Sequence, residues 1–155
     1  MRRSTFLLIA IVGVRLTPLA SAADPLIGDW RLKSQEVAGN QIDSNPLTLA
    51  ITSSGKLMDF AYVVTVNDAP VVNLKFSTPL DGTEAEISGG DGKKMGTARV
   101  SRAGESYKIL IEGPGRPAVT ILMTVSPDGK TLVSESDAQT PSGGNVHTKQ
   151  VFSRQ

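Results

Sequence analysis

Apolar and polar residues alternate along most of the chain beyond residue 22. Between Met58 and Val66 every second residue is large and apolar or aromatic, and around Trp30 the residues Leu32 and Ser34 continue the same spacing. Further alternating stretches lie at 47–52, 72–76, 107–112 and 118–125. Because successive side chains of a strand point to opposite faces, this pattern predicts strands with one buried and one solvated face, as in antiparallel sheets.

Turn residues separate the alternating stretches at intervals of about 8–12 residues, a spacing typical of hairpins. Gly, Pro, Asp and Asn cluster at 53–55, 67–70, 79–82, 102–104, 112–115 and 126–129. The pattern indicates about nine or ten short strands and no amphipathic helix. A single layer of strands must close into a barrel or pack as a sandwich. We expect one all-β domain over residues 23–155, an antiparallel up-and-down β-barrel of about 8–10 strands.

The first 22 residues have the three parts of a secretory signal peptide. Arg2 and Arg3 precede an apolar run at 6–14, and small residues surround a predicted cut after Ala22. An apolar run of this length is far short of the roughly 18–20 residues that a membrane-spanning helix needs. We therefore expect the protein to be exported, to the periplasm or the medium, without a transmembrane span.

Charge and composition exclude several classes of function. Lys and Arg number 16 against 15 Asp and Glu, and removal of the signal peptide takes away three arginines and no acid. The mature chain then carries 13 basic and 15 acidic residues, which argues against a nucleic-acid partner held by bulk charge. Hydrophobic residues make up 39% of the chain, too many for a disordered protein. The absence of Cys excludes disulfides, a thiol nucleophile and Cys-ligated metals, and we expect no cofactor.

Candidate catalytic and metal-binding residues are few and isolated. His147 is the single His, with no second His or Cys to complete a metal site, and we expect it on the surface of the last strand. Glu84 and Glu86 share one strand face, but their surroundings lack the spacing of an EF-hand loop. The Gly-rich segment 89–94 precedes a strand rather than a helix, and Ser106 lacks the second Gly of a nucleophile elbow. We predict that the protein is not an enzyme; an enzyme would need a polar constellation inside the barrel.

Both ends of the mature chain carry motifs that point to a known group. Gly28, Asp29 and Trp30 open the first predicted strand, and Arg154 stands near the end of the last. With the Ser-Pro-Asp-Gly-Lys-Thr-Leu turn at 126–132, these motifs resemble lipocalin-like, calycin-type β-barrels and a family of small exported bacterial proteins of unknown function. The resemblance implies that Arg154 packs over Trp30 and closes one barrel end. A guanidinium on an indole face contributes roughly 0.5–2 kcal/mol.

Five large side chains fall on the predicted inward face of the barrel. They are Phe60, Tyr62, Phe76, Tyr107 and Met123. In a hollow barrel they would line a cavity of at least about 300 Å³ for a small apolar or amphiphilic molecule. In a filled barrel they would form the core, and the protein would act as a structural or interaction protein of the cell envelope through an outer face or edge. The sequence leaves both hypotheses open and does not indicate an oligomeric state.

Overall fold

The computed structural model describes residues 23–140 and 142–155, so the expected signal peptide at 1–22 lies outside the described residues. These residues form eleven strands and no helix. The strands are β1 (Gly28–Val37), β2 (Asn40–Ile42), β3 (Leu47–Ser54), β4 (Leu57–Val66), β5 (Ala69–Thr78), β6 (Asp81–Ser88), β7 (Lys94–Ala103), β8 (Ser106–Gly113), β9 (Arg116–Val125), β10 (Thr131–Gln139) and β11 (Asn145–Arg154). Over the ranges described, nothing helical is present that could cross a bilayer.

Ten of the eleven strands close into a barrel. From β3 to β11 each strand pairs with the next, while β1 pairs with β3 on one side and with β11 on the other. Every pair is antiparallel. The short β2 extends the pairing of β1 beyond the end of β3 and is not needed for closure. The predicted all-β, antiparallel up-and-down barrel of about 8–10 strands is confirmed.

A β-bulge in β1 changes which side chains face the interior. Leu32 pairs with Phe152 and Ser34 with Val151, so Lys33 is an extra residue on β1. An extra residue moves the following side chains to the opposite face of the sheet. The prediction that Ser34 faces the core is therefore wrong. Gln35, which pairs with Gln150, takes the inward position instead.

The two ends of the barrel differ in packing. The connections after β3, β5, β7 and β9 lie at one end together with residues 23–27, and we call it the closed end. The connections after β1, β4, β6, β8 and β10 lie at the open end. The half of the interior nearest the closed end is solidly packed, and its side chains are almost entirely inaccessible to solvent. The largest of them are Trp30, Tyr107, Phe60, Phe152, Leu49, Ile51, Ile109 and Met123.

Arg154 and Trp30 hold the closed end together. They are register partners in the β1–β11 pair, and the guanidinium carbon of Arg154 lies 4.1 Å from the centre of the Trp30 ring. The same guanidinium donates to the backbone carbonyls of Gly129 at 2.6 Å, Pro25 at 2.7 Å and Ile27 at 2.5 Å. One side chain thus joins the end of β11, the β9–β10 turn and the segment that precedes β1.

The segment before β1 covers the closed end of the barrel. Leu26 is fully buried, and its carbonyl accepts a hydrogen bond from the Trp30 indole N–H at 2.9 Å. Asp24 accepts from the Tyr107 hydroxyl at 2.5 Å and from the backbone N–H of Leu26 at 3.0 Å, and it forms an ion pair with Arg102. These contacts fix a short segment that strand pairing alone would leave free.

Gly28 makes the contact between Arg154 and Trp30 possible. A Cβ at this position would lie 2.2 Å from Nη1 of Arg154, and the backbone φ of +153° is one that other residues rarely adopt. The Gly of the Gly-x-Trp motif therefore leaves the space that the guanidinium occupies.

Replacing Arg154 by Ala is expected to lower the free energy of unfolding by about 2–4 kcal/mol, since it removes a cation–π contact and three charge-assisted hydrogen bonds. The matched control is Arg99→Ala on the outer face. Arg99 pairs with Glu84 and Glu112, and exposed pairs of this kind contribute about 1 kcal/mol or less. Urea denaturation of both variants measures the difference. Equal losses of stability would contradict the role given to Arg154.

Candidate functional site

The inward side chains of the open half are partly exposed, unlike those of the closed half. These side chains pack against the buried core but keep part of their surface exposed to solvent. They include Leu32, Leu47, Tyr62, Leu74, Ile111 and Ile121. Because strand alternation directs these side chains into the barrel, solvent reaches them through the open end. We call this solvent-accessible half of the interior the cup.

One side of the cup is apolar. The open ends of β5, β6, β8 and β9 surround a recess of about 160 Å³. Its apolar lining comes from Leu74, Ile87, Met95, Ile111 and Val119. Two charged residues stand at its rim: Glu112, which pairs with Arg99, and Arg116, which is exposed. The recess is smaller than the roughly 300 Å³ expected of a hollow barrel.

The opposite side of the cup is polar, and we call it the polar wall. It consists of Ser134 and Ser136 on β10, Thr148 and Gln150 on β11, and Gln35 on β1. Ser134 pairs with Gln150, and the Gln150 amide donates to the Gln35 side-chain carbonyl at 3.2 Å. Sequence reasoning missed this wall. The one signal in the sequence is the presence of Ser134 and Ser136 at alternate positions of β10. The Lys33 bulge hides the inward position of Gln35 from the alternation pattern.

Tyr62 places a phenol in the cup. It lies on β4 beside Leu49 of β3 and Leu74 of β5. Burial raises the pKa of its hydroxyl above the ordinary value, because the surrounding protein disfavours the phenolate. The hydroxyl therefore stays protonated at physiological pH, and it can donate or accept one hydrogen bond to a bound molecule.

Of the five large side chains proposed from the sequence to contact a ligand, Tyr62 alone reaches the cup. Phe60 and Phe76 stack in the core with ring centres 4.7 Å apart. Tyr107 is buried at the closed end beside Asp24, and Met123 packs in the same core. Their role as ligand contacts stays a prediction, and the structure places four of the five below the cup.

The charged candidates from the sequence lie on the outer surface. His147 pairs with Asp137 at 2.9 Å, Glu86 pairs with Lys94 at 3.3 Å, and Glu84 pairs with Arg99. Each pair joins neighbouring strands and is open to solvent. Within residues 23–140 and 142–155, no group of three His, Asp or Glu side chains is arranged to hold a metal ion.

A second concave surface lies outside the barrel, where β5 and β6 diverge. These strands share a single register pair, Lys75 with Ser88. A cleft of about 510 Å³ runs along the outer face of β3 to β6, and Asp59, Lys75, Ser77 and Glu86 contribute to its lining. The Ser77 hydroxyl donates to Asp59 at 2.5 Å, and this hydrogen bond lowers the pKa of the carboxyl. The cleft is larger than the recess but more polar and open to solvent.

Comparison with known proteins identifies the fold. The sequence matches no protein-family model and no curated protein. Among solved structures, the chain is similar to a protein described as the REP1-NXSQ fatty acid transporter, with a TM-score of 0.62 and 16% identity over 86% of this chain and 98% of that one. It is also similar to zebrafish ileal bile acid-binding protein complexed with cholic acid, with a TM-score of 0.54 and 22% identity over 84% and 99%. The predicted calycin-type antiparallel β-barrel is thereby confirmed as the fold of this chain.

Proposed function

We propose that the protein is an exported, non-enzymatic binding protein whose cup takes a small apolar or amphiphilic molecule. The observation that carries this proposal is the difference between the two halves of the interior. In the half nearest the closed end, the side chains are packed against each other. In the half nearest the open end, inward apolar side chains such as Leu74 and Ile111 remain partly exposed. Covering this apolar surface with a ligand would be favourable by about 25 cal/mol for each Å² removed from water.

The character of the cup and the similar structures support the same class of ligand. The two neighbours are named for a fatty acid and a bile acid, which are both amphiphiles. The apolar recess and the polar wall face each other across the cup, as an amphiphile requires. A non-enzymatic role is supported by the positions of the candidate catalytic groups: Glu84, Glu86 and His147 pair with neighbouring strands on the outer surface, away from the cup.

A second candidate function is that of a structural or interaction protein of the envelope. The outer cleft where β5 and β6 diverge favours this function. Because these strands share a single register pair, backbone N–H and C=O groups along them are available for hydrogen bonds to a partner. In this case the recess would stay empty and the partner would contact Lys75, Ser77 and Glu86.

Filling the recess is expected to abolish binding to the cup. Val119→Trp places an indole in the recess, whereas Thr120→Trp places the same group on the outer face of the same strand. The neutral fluorescent probe N-phenyl-1-naphthylamine should bind the mature protein and the Thr120 variant alike, and Val119→Trp at least about tenfold more weakly. Thermal unfolding confirms that each variant is folded. Equal binding to both variants would contradict a site in the cup. No binding by the mature protein would favour the interaction protein.

Export is tested by the size and location of the processed chain. The full sequence expressed in a Gram-negative host should yield a protein that begins at Ala23 and leaves the cytoplasm. Ala22→Asp, at the position that must be small for cleavage, should block processing, whereas Ser21→Asp at the adjacent tolerant position should not. Intact-mass spectrometry of cell fractions distinguishes the outcomes. An unprocessed chain that retains Met1 and stays in the cytoplasm would contradict export.

A further inference from the structure

Below its rim, the inner surface of the cup carries no charged side chain within the part of the chain that the structure describes. At the rim, Glu112 and Arg116 contribute to the lining of the recess. By strand alternation, the charged residues of the barrel strands face outward, apart from three at the two ends. Glu135 and Lys149, for example, pair with each other on the outer face at 3.8 Å, directly behind the polar wall. Arg102 and Arg154 face the closed end, and Arg116 stands at the rim.

Neither of the closed-end arginines is free to bind a ligand. Arg154 lies on Trp30 and donates to three carbonyls, and Arg102 pairs with Asp24. The packed core also separates both of them from the cup. Arg116 lines the recess on β9, across the cup from the polar wall. An ionised carboxylate placed against the polar wall would therefore lose water without gaining a cation, and burial of an unpaired charge is costly.

The polar wall disfavours a ligand that is purely hydrocarbon. Its hydroxyl and amide groups lose hydrogen bonds to water if hydrocarbon covers them, and an unsatisfied buried polar group is unfavourable. A ligand that offers a hydroxyl or ester there restores those bonds. Gln150 and Gln35 already bond to each other, and their remaining amide groups, with Ser136 and Thr148, can receive such a head group. Ser134 is buried at the base of the wall.

We infer that the cup selects amphiphiles with an uncharged, hydrogen-bonding head group. The head lies against the polar wall, and the hydrocarbon fills the recess formed by Leu74, Ile87, Ile111 and Val119. A carboxylate on the same hydrocarbon chain binds more weakly. This inference rests on the proposed function of the cup, and it adds the class of head group that the cup accepts.

The direct test compares decanol with decanoate on the mature protein, each displacing N-phenyl-1-naphthylamine. At pH 8 decanol should bind at least about tenfold more tightly, because decanoate is then ionised. The difference should shrink as the pH falls below about 4, where the carboxyl becomes neutral. Tyr62 is the titratable group that faces the cup, and its burial-raised pKa keeps it neutral at both values. The contributions of the rim groups Glu112 and Arg116 are tested by the substitutions at these two residues described below.

Adding a cation to the wall should reverse the preference. Gln150→Arg places a guanidinium in the cup, and Val151→Arg places the same charge on the outer face at the next residue. Gln150→Arg should raise decanoate affinity relative to decanol by at least about tenfold, while Val151→Arg leaves the ratio unchanged. The comparison of decanol with decanoate on the unmodified protein needs no variant. The inference can therefore still be tested if Gln150→Arg does not fold.

Three results would overturn the inference. The first is equal affinity of decanol and decanoate at pH 8. The second is a loss of decanoate affinity in Arg116→Gln or a gain in Glu112→Gln, either of which would place the carboxylate at the rim. The third is failure of both ligands to displace a bound probe. If the probe itself does not bind, the proposed function fails first, and the inference falls with it.

Discussion

The contact between Arg154 and Trp30 is the interaction on which the rest of the architecture depends. A barrel closes when its first and last strands pair, and these two residues are partners in that pair. The guanidinium adds hydrogen bonds to the β9–β10 turn and to the segment before β1, so the first and last strands of the barrel are joined at one point. Without closure, β1 and β11 would be open edges.

Closure at one end explains why the two halves of the interior differ. At the closed end, Leu26 and the Arg154 side chain exclude solvent, and the residues beneath pack as a core. The other end has no equivalent cover within the described residues, so its inward positions can carry Ser and Gln without burying unsatisfied groups. The fully buried side chains lie mainly in one half of the barrel, and the proposed binding site lies in the other.

Much of the fold could be predicted from the sequence, because alternation and turn residues are local signals. The Gly-x-Trp and terminal Arg motifs indicated which residues meet at the closed end, and the structure gives Gly28 a steric reason. The bulge at Lys33 could not be predicted, since an inserted residue leaves no mark in the pattern. Alternation also tells which side chains face inward but not how far each lies from the closed end. For this reason Phe60, Phe76, Tyr107 and Met123 were grouped with Tyr62, although only Tyr62 reaches the cup.

The central claim is that the open half of the barrel is the binding site, and chemical-shift mapping tests it most directly. Backbone amide spectra of residues 23–155, recorded with and without decanol, should show their largest changes at Gln35, Tyr62, Ile111 and Gln150. The indole N–H of Trp30, at the closed end, should change little, because the packed core separates it from the cup. The largest changes at Trp30, or at Ser77 and Glu86 in the outer cleft, would contradict the claim.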